Sequence, residues 1–113
     1  MDIENIKAQM RKGILEYCIL SVMSEVEIYA SDILEKLKQG KLIVVEGTLY
    51  PLLTRLKNDE LLEYRWIEST QGPPRKYYKL TESGKAFLNE LSKEWLSLQS
   101  SVEACSKNNI HNL

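Results

Sequence analysis

Near the C-terminus six apolar positions, Leu88, Leu91, Trp95, Leu98, Val102 and Cys105, step by 3, 4, 3, 4 and 3. That rhythm is the seam of a helix packed lengthwise against another helix. Thr81 can cap this helix, and Glu82 is favourable in its first turn. From Glu82 to Ser106 it would rise on the order of 35 Å at 1.5 Å per residue, further than the small unit preceding it can cover. The surplus seam requires a second subunit. A second stripe near the N-terminus, Ile3, Ile6, Met10, Gly13, Tyr17 and Leu20, repeats the same steps. It lies on a helix expected over Asn5 to Ser24, whose other side carries Ile14, Cys18, Ile19 and Val22. A helix with two apolar sides needs two partners, one inside the chain and one outside it.

The middle of the chain alternates helix and strand signals. "SDILEKLKQG" offers Ser31 or Asp32 as a start and Gly40 as a stop, with Ile33, Leu34 and Leu37 inward. "EGTLYPLLTRLKND" sets Leu49, Leu52, Leu53 and Leu56 at helical spacing. Pro51 fits there only where amide hydrogens lack intrahelical partners, so this third helix should begin between Glu46 and Thr48, with Thr48 and Tyr50 near its exposed end. "LLEYRWIES" alternates Leu62, Tyr64 and Trp66 against Glu63 and Arg65, as a half-buried strand does, and Trp66 is expected in the core. "KYYKL" alternates too, placing Tyr77 and Tyr78 on opposite faces, one of them inward. The two strands flank "TQGPPR", the solvent-facing tip of a hairpin. "KNNIHNL", the end of the chain, has no period and is expected to fray; His111 within it receives no role.

Length and charge narrow the function. A chain of 113 residues with 43% hydrophobic content fits one domain. With 15 basic and 16 acidic residues, net −1, no global field draws it to a polyanion, so a nucleic-acid site must be local. No run nears the roughly 18 apolar residues of a membrane span, and "MDIENIKAQMRKG" lacks a signal peptide's apolar middle, so the chain reads as soluble and cytoplasmic. Cys18 and Cys105 form no CxxC pair or metal cluster and are expected as free thiols. With one histidine, no glycine-rich phosphate loop and no nucleophile beside a recognisable base, neither an enzyme nor a cofactor is expected.

Helices followed by a hairpin are the order of a winged helix, where the third helix enters the major groove and the wing meets the neighbouring backbone or minor groove. "EGTLYPLLTRLKNDELL" followed by "GPPRKYYKLTESG" resembles the signature of the PadR family of bacterial transcriptional regulators, in particular its small members, including multidrug-binding ones. The resemblance spans nearly the whole chain. It implies an α+β, mostly α fold: a winged helix-turn-helix over 1–81, a C-terminal dimerisation helix over 82–106 and a tail over 107–113. It implies a homodimeric, sequence-specific regulator of double-stranded DNA, a repressor acting on a roughly palindromic operator. Thr48, Tyr50, Pro51 and Arg55 then occupy recognition-helix positions, and Gly72, Pro74, Arg75 and Lys76 occupy the wing. Arg55, Lys57, Arg75 and Lys76 can neutralise phosphates, and Thr48 and Tyr50 can give hydroxyl hydrogen bonds.

The two seams place Ile6, Met10, Leu88, Leu91, Trp95, Leu98 and Val102 in the dimer interface. Multidrug-binding members stack flat ligands on a tryptophan of the last helix, and Trp95 falls at that position; Met10, Tyr17 and Gln99 would neighbour a planar aromatic or phenolic effector. Two other readings stand beside this one: a winged helix that binds another protein, and a DNA-binding regulator whose Trp95 pair is packed core. The chain also departs from the family pattern. "YASDI" replaces a tyrosine-glycine-aromatic run. Glu60 stands where glycine usually ends the recognition helix, leaving the cap to Asn58 or Asp59. Val45 replaces a polar residue and weakens that helix's N-cap.

Overall fold

The computed structural model describes residues 1–24 and 26–111, with side chains through Lys107. In place of one helix over 5–24 stand two, α1 (Ile3–Lys12) and α2 (Leu15–Val22). Between them Gly13 N–H donates to Met10 O (3.3 Å) and Ile14 N–H to Arg11 O (3.1 Å), both i→i−3 bonds that tighten one turn. Glycine is where a helix is cheapest to interrupt. The break divides the N-terminal stripe: Met10 is 72% exposed, whereas Leu20 is fully buried with Ile19.

Residues 28 and 29 form a short strand, β1 (Ile28–Tyr29), that the sequence reading lacks. Because Tyr29 is still extended, α3 (Ala30–Gln39) starts ahead of Ser31 and has no side-chain cap. Its C-cap is Gly40, as expected, but the left-handed residue is the next one, Lys41, at φ 69°. Leu42 N–H reaches Leu37 O (2.8 Å) and Lys41 N–H reaches Lys38 O (2.9 Å), the paired bonds of a Schellman cap. The next helix, α4 (Glu46–Asn58), ends in the same way. Asp59 is its C-cap and Glu60 takes φ 63°, with Leu61 N–H on Leu56 O and Glu60 N–H on Lys57 O, both 3.0 Å. Glu60 thus holds the conformation that glycine would hold more cheaply.

β2 (Leu62–Ile67) and β3 (Arg75–Leu80) form the expected hairpin, and β1 adds to β3, so the antiparallel sheet runs β1-β3-β2. Leu62 opposes Leu80 and Tyr64 opposes Tyr78, and at the sheet's base Leu62, Leu80 and Tyr78 are buried with Leu49, Leu53 and Leu56 of α4 and Ile33 and Leu37 of α3. Tyr78 is therefore the inward member of the tyrosine pair. Trp66 is not core: it opposes Lys76 further toward the tip, beyond the reach of the helices, and is 63% exposed.

The last helix, α5 (Glu82–His111), is tied on by Thr81, whose hydroxyl donates to Glu60 O (2.6 Å) and accepts from Gly84 N–H (2.9 Å). Thr81 N–H donates to Leu61 O (3.1 Å). Leu88 and Leu91 pack against the chain's own core, which takes up the first part of the seam. From Lys93 to Lys107 every residue is exposed. With 30 residues α5 is about 45 Å long, and the molecule extends 62 Å along its main axis. Helical backbone continues past Ser106 to His111, and positions 112 and 113 of the expected tail lie outside the described residues.

Candidate nucleic-acid interface

Burial of Leu49, Leu53 and Leu56 fixes the rotation of α4, because residues three and four apart share a face. Gly47, Thr48, Tyr50, Pro51, Thr54, Arg55 and Lys57 are left exposed. Thr54, one turn past Tyr50, belongs to this surface although the sequence reading passed over it. The helix begins at the early end of the expected range, so Pro51 is its sixth residue and supplies no amide to the Gly47 carbonyl. Val45 at the N-cap makes no side-chain bond, which leaves first-turn amides without a side-chain acceptor. Although Tyr50 is 44% exposed, partial desolvation pushes its phenol above the ordinary value, with Glu46 and Tyr29 adding to the shift, so near neutral pH it is an uncharged hydroxyl able to donate.

The cations are less free than their order in sequence suggests. Arg55 forms an ion pair with Glu16 of α2, an acid that the fold delivers from 39 residues away. Arg65 is likewise committed: its Nε and Nη2 donate to Glu27 at 2.8 and 2.9 Å, and this bond holds the Glu27 carboxyl below its usual range. Lys57 lies 5.9 Å from the Tyr64 ring centre. Arg75 and Lys76, neighbours on β3, point to opposite faces. Arg75 sits 5.0 Å over Tyr29, whose ring is 5.9 Å from that of Tyr77; Lys76 lies 3.9 Å over Tyr64 on the side of α4. Gly72 and Pro74 are exposed at the tip. A Cβ on Gly72 would meet nothing within 4 Å and its φ is not positive, so nothing within the chain itself requires glycine there.

The residues named for an effector are only partly assembled within one chain. Tyr17 Oη donates to Ser92 Oγ (3.3 Å), joining α2 to α5 one turn before Trp95. Trp95 and Met10 are both on open surface, and Gln99, Leu98 and Val102 lie on the uncovered part of α5. A hollow of about 260 Å³ lies elsewhere, between α1 and the segment before α4, lined among others by Arg11, Ile14, Leu42, Val44 and Thr48. Cys18 and Cys105 are free, and burial pushes the Cys18 thiol up, away from reactivity. Among the described residues no group of three His, Cys, Asp or Glu is placed to hold a metal, and no helix is long and apolar enough to cross a membrane.

This arrangement, an exposed helix face beside a two-stranded wing, has close counterparts. The model of the PadR-like family of transcriptional regulators matches residues 19–90. A PadR-like transcription factor from Bacteroides fragilis is 65% identical, with a TM-score of 0.75 over 88% of this chain and 96% of that one. A PadR-like transcriptional regulator from Bacillus cereus is 40% identical, with a TM-score of 0.76 over 84% of this chain and 93% of that one. Bacillus subtilis PadR, solved in complex with operator DNA, is 27% identical; the TM-score is 0.63 over 69% of this chain and 46% of that longer one. The fold is the PadR-like winged helix with its long C-terminal helix, and the chain belongs to the PadR-like family of transcriptional regulators, which are not enzymes.

Proposed function

We propose that the protein is a homodimeric repressor that acts in the cytoplasm on a roughly palindromic duplex operator. Each copy presents α4 to the major groove and its wing to the adjoining backbone. The observation that carries this reading is the exposed side of α4: Thr48, Tyr50, Pro51 and Arg55 stand clear of the core on the helix that the wing flanks. Arg55, Lys57, Arg75 and Lys76 supply cations for phosphates, and Gly72 and Pro74 shape the tip that approaches the groove. Arg55 leaves Glu16 for a phosphate when DNA binds. The operator complex of Bacillus subtilis PadR supports duplex DNA as the partner.

Dimerisation uses the uncovered length of α5, with Trp95, Leu98 and Val102 meeting the partner and Ile6 and Met10 completing the contact from α1. A planar aromatic or phenolic effector seated between Trp95 and its symmetry mate, near Met10, Tyr17 and Gln99, changes the spacing of the two reading heads and weakens operator binding. Selection of bound sequences from a random duplex pool tests the reading. Two half-sites in inverted repeat are expected, with affinity falling steeply as salt rises. Enrichment of no sequence, or equal binding by a triple variant Arg55→Ala, Arg75→Ala, Lys76→Ala, overturns it. Titrating planar dyes and phenolic acids against tryptophan fluorescence in Trp66→Phe tests the effector, which is absent if none quenches Trp95.

A further inference from the structure

The face of the hairpin turned toward α4 ends in an aromatic group that the core does not consume. At its base Leu62, Leu80 and Tyr78 are buried, while outward along the same face Tyr64 is 39% exposed and Trp66 63%. Strand register brings these rings around one cation, since Trp66 opposes Lys76 and Tyr64 opposes Tyr78. Lys76 Nζ lies 3.9 Å from the Tyr64 ring centre, 5.6 Å from Tyr78 and 5.8 Å from Trp66. Ammonium groups are drawn to aromatic faces, and a lysine held in this way gives up rotamer freedom before any partner arrives. Lys57 from α4 approaches the same Tyr64 ring. Glu63, the acid within β2, is on the opposite face, paired with Lys79 at 3.3 Å. The cluster is therefore apolar and cationic, beside the helix proposed to read the major groove, and that charge favours a polyanion as its occupant.

We infer that Trp66 is a DNA-contacting residue of the wing and Tyr64 a positioning residue for Lys76. The caged ammonium of Lys76 meets a backbone phosphate, and the exposed indole of Trp66 lies against the sugar edge of the same strand. Phosphate contact and apolar contact then arrive together, each fixing the position of the other. The inference rests on the DNA-binding reading above and names the part of the wing that carries it.

The test uses the full-length protein and the duplex that the wild type enriches from a random pool, with affinities measured over a series of KCl concentrations. Trp66 is on the surface, so Trp66→Ala should fold, and it should weaken binding about tenfold with the salt dependence unchanged. Trp66→Phe should restore most of that loss. Lys76→Met should lower the salt slope by about one. Tyr64→Leu should weaken binding in the wild type but add little in the Lys76→Met background, because it acts through Lys76. Trp66→Ala within twofold of wild type overturns the role of Trp66, and a Tyr64→Leu loss of equal size in both backgrounds overturns its positioning role. A wild type that enriches no duplex defeats the DNA reading itself, and this inference with it.

Discussion

Two residues, Lys41 and Glu60, adopt φ of 69° and 63° in a region where a Cβ crowds the backbone. Both follow helices whose paired closing bonds leave no other conformation for that position. Glu60 stands where glycine is usual, and the cap does fall to a residue before it, Asp59, as the sequence implies. Only the folded chain shows that Glu60 carries the left-handed turn itself. Glu60→Gly is expected to raise unfolding free energy by about 0.5–1 kcal/mol, measured as a higher urea midpoint at unchanged slope. Thr81 donates to the Glu60 carbonyl, a main-chain group the substitution retains, so that bond survives. At this scale the misplaced residue is Trp66, for strand alternation tells which face a side chain occupies but not how far along that face the core extends.

Among elements, α5 joins the turn between α4 and β2 with no room for a side chain at Gly84. A Cβ on Gly84 would overlap the Leu61 carbonyl oxygen, which also accepts the Thr81 amide. Gly84→Ala should therefore push α5 off the end of the sheet and cost about 2 kcal/mol, seen as a lower thermal midpoint; a midpoint within a degree of wild type would contradict it. Most elements were legible because their signals are local: apolar spacing for α3 and α4, alternation for β2 and β3, and Thr81 for the start of α5. β1 was not, since two residues have no period and form a strand only when β3 is there to pair with them. The break at Gly13 was hidden for a related reason, because the stripe's 3,4 rhythm continues across a turn that tightens by one residue.

For the whole molecule, α5 runs exposed from Lys93 to Lys107, yet carries Trp95, Leu96, Leu98 and Val102 over that stretch. A helix apolar on one side and uncovered is incompletely buried as a single chain. In the proposed dimer, Leu98→Glu combined with Val102→Glu should raise the dissociation constant about a hundredfold or more, read by sedimentation as a shift to monomer with helical content retained by circular dichroism. An unchanged mass would place the interface elsewhere. The seam was visible in sequence over its full length, but the division along it was not: Leu88 and Leu91 pack on the chain's own core, and only the distal part is left uncovered.

Periodicity, turn residues and two motifs were enough for the sequence to determine α3, α4, the start of α5, the hairpin and the family, because these signals are carried by residues close together along the chain. The tertiary structure alone decided the electrostatics. Counting along the chain finds two cations and no acid between Gly47 and Asn58, yet folding sets Glu16 against Arg55. The same distance-blindness hid the pairing of Arg65 with Glu27, the stacking of Arg75 on Tyr29 and the rings gathered around Lys76. Charge and ring interactions act through space between residues that the sequence holds far apart, and their partners exist only once the chain has closed.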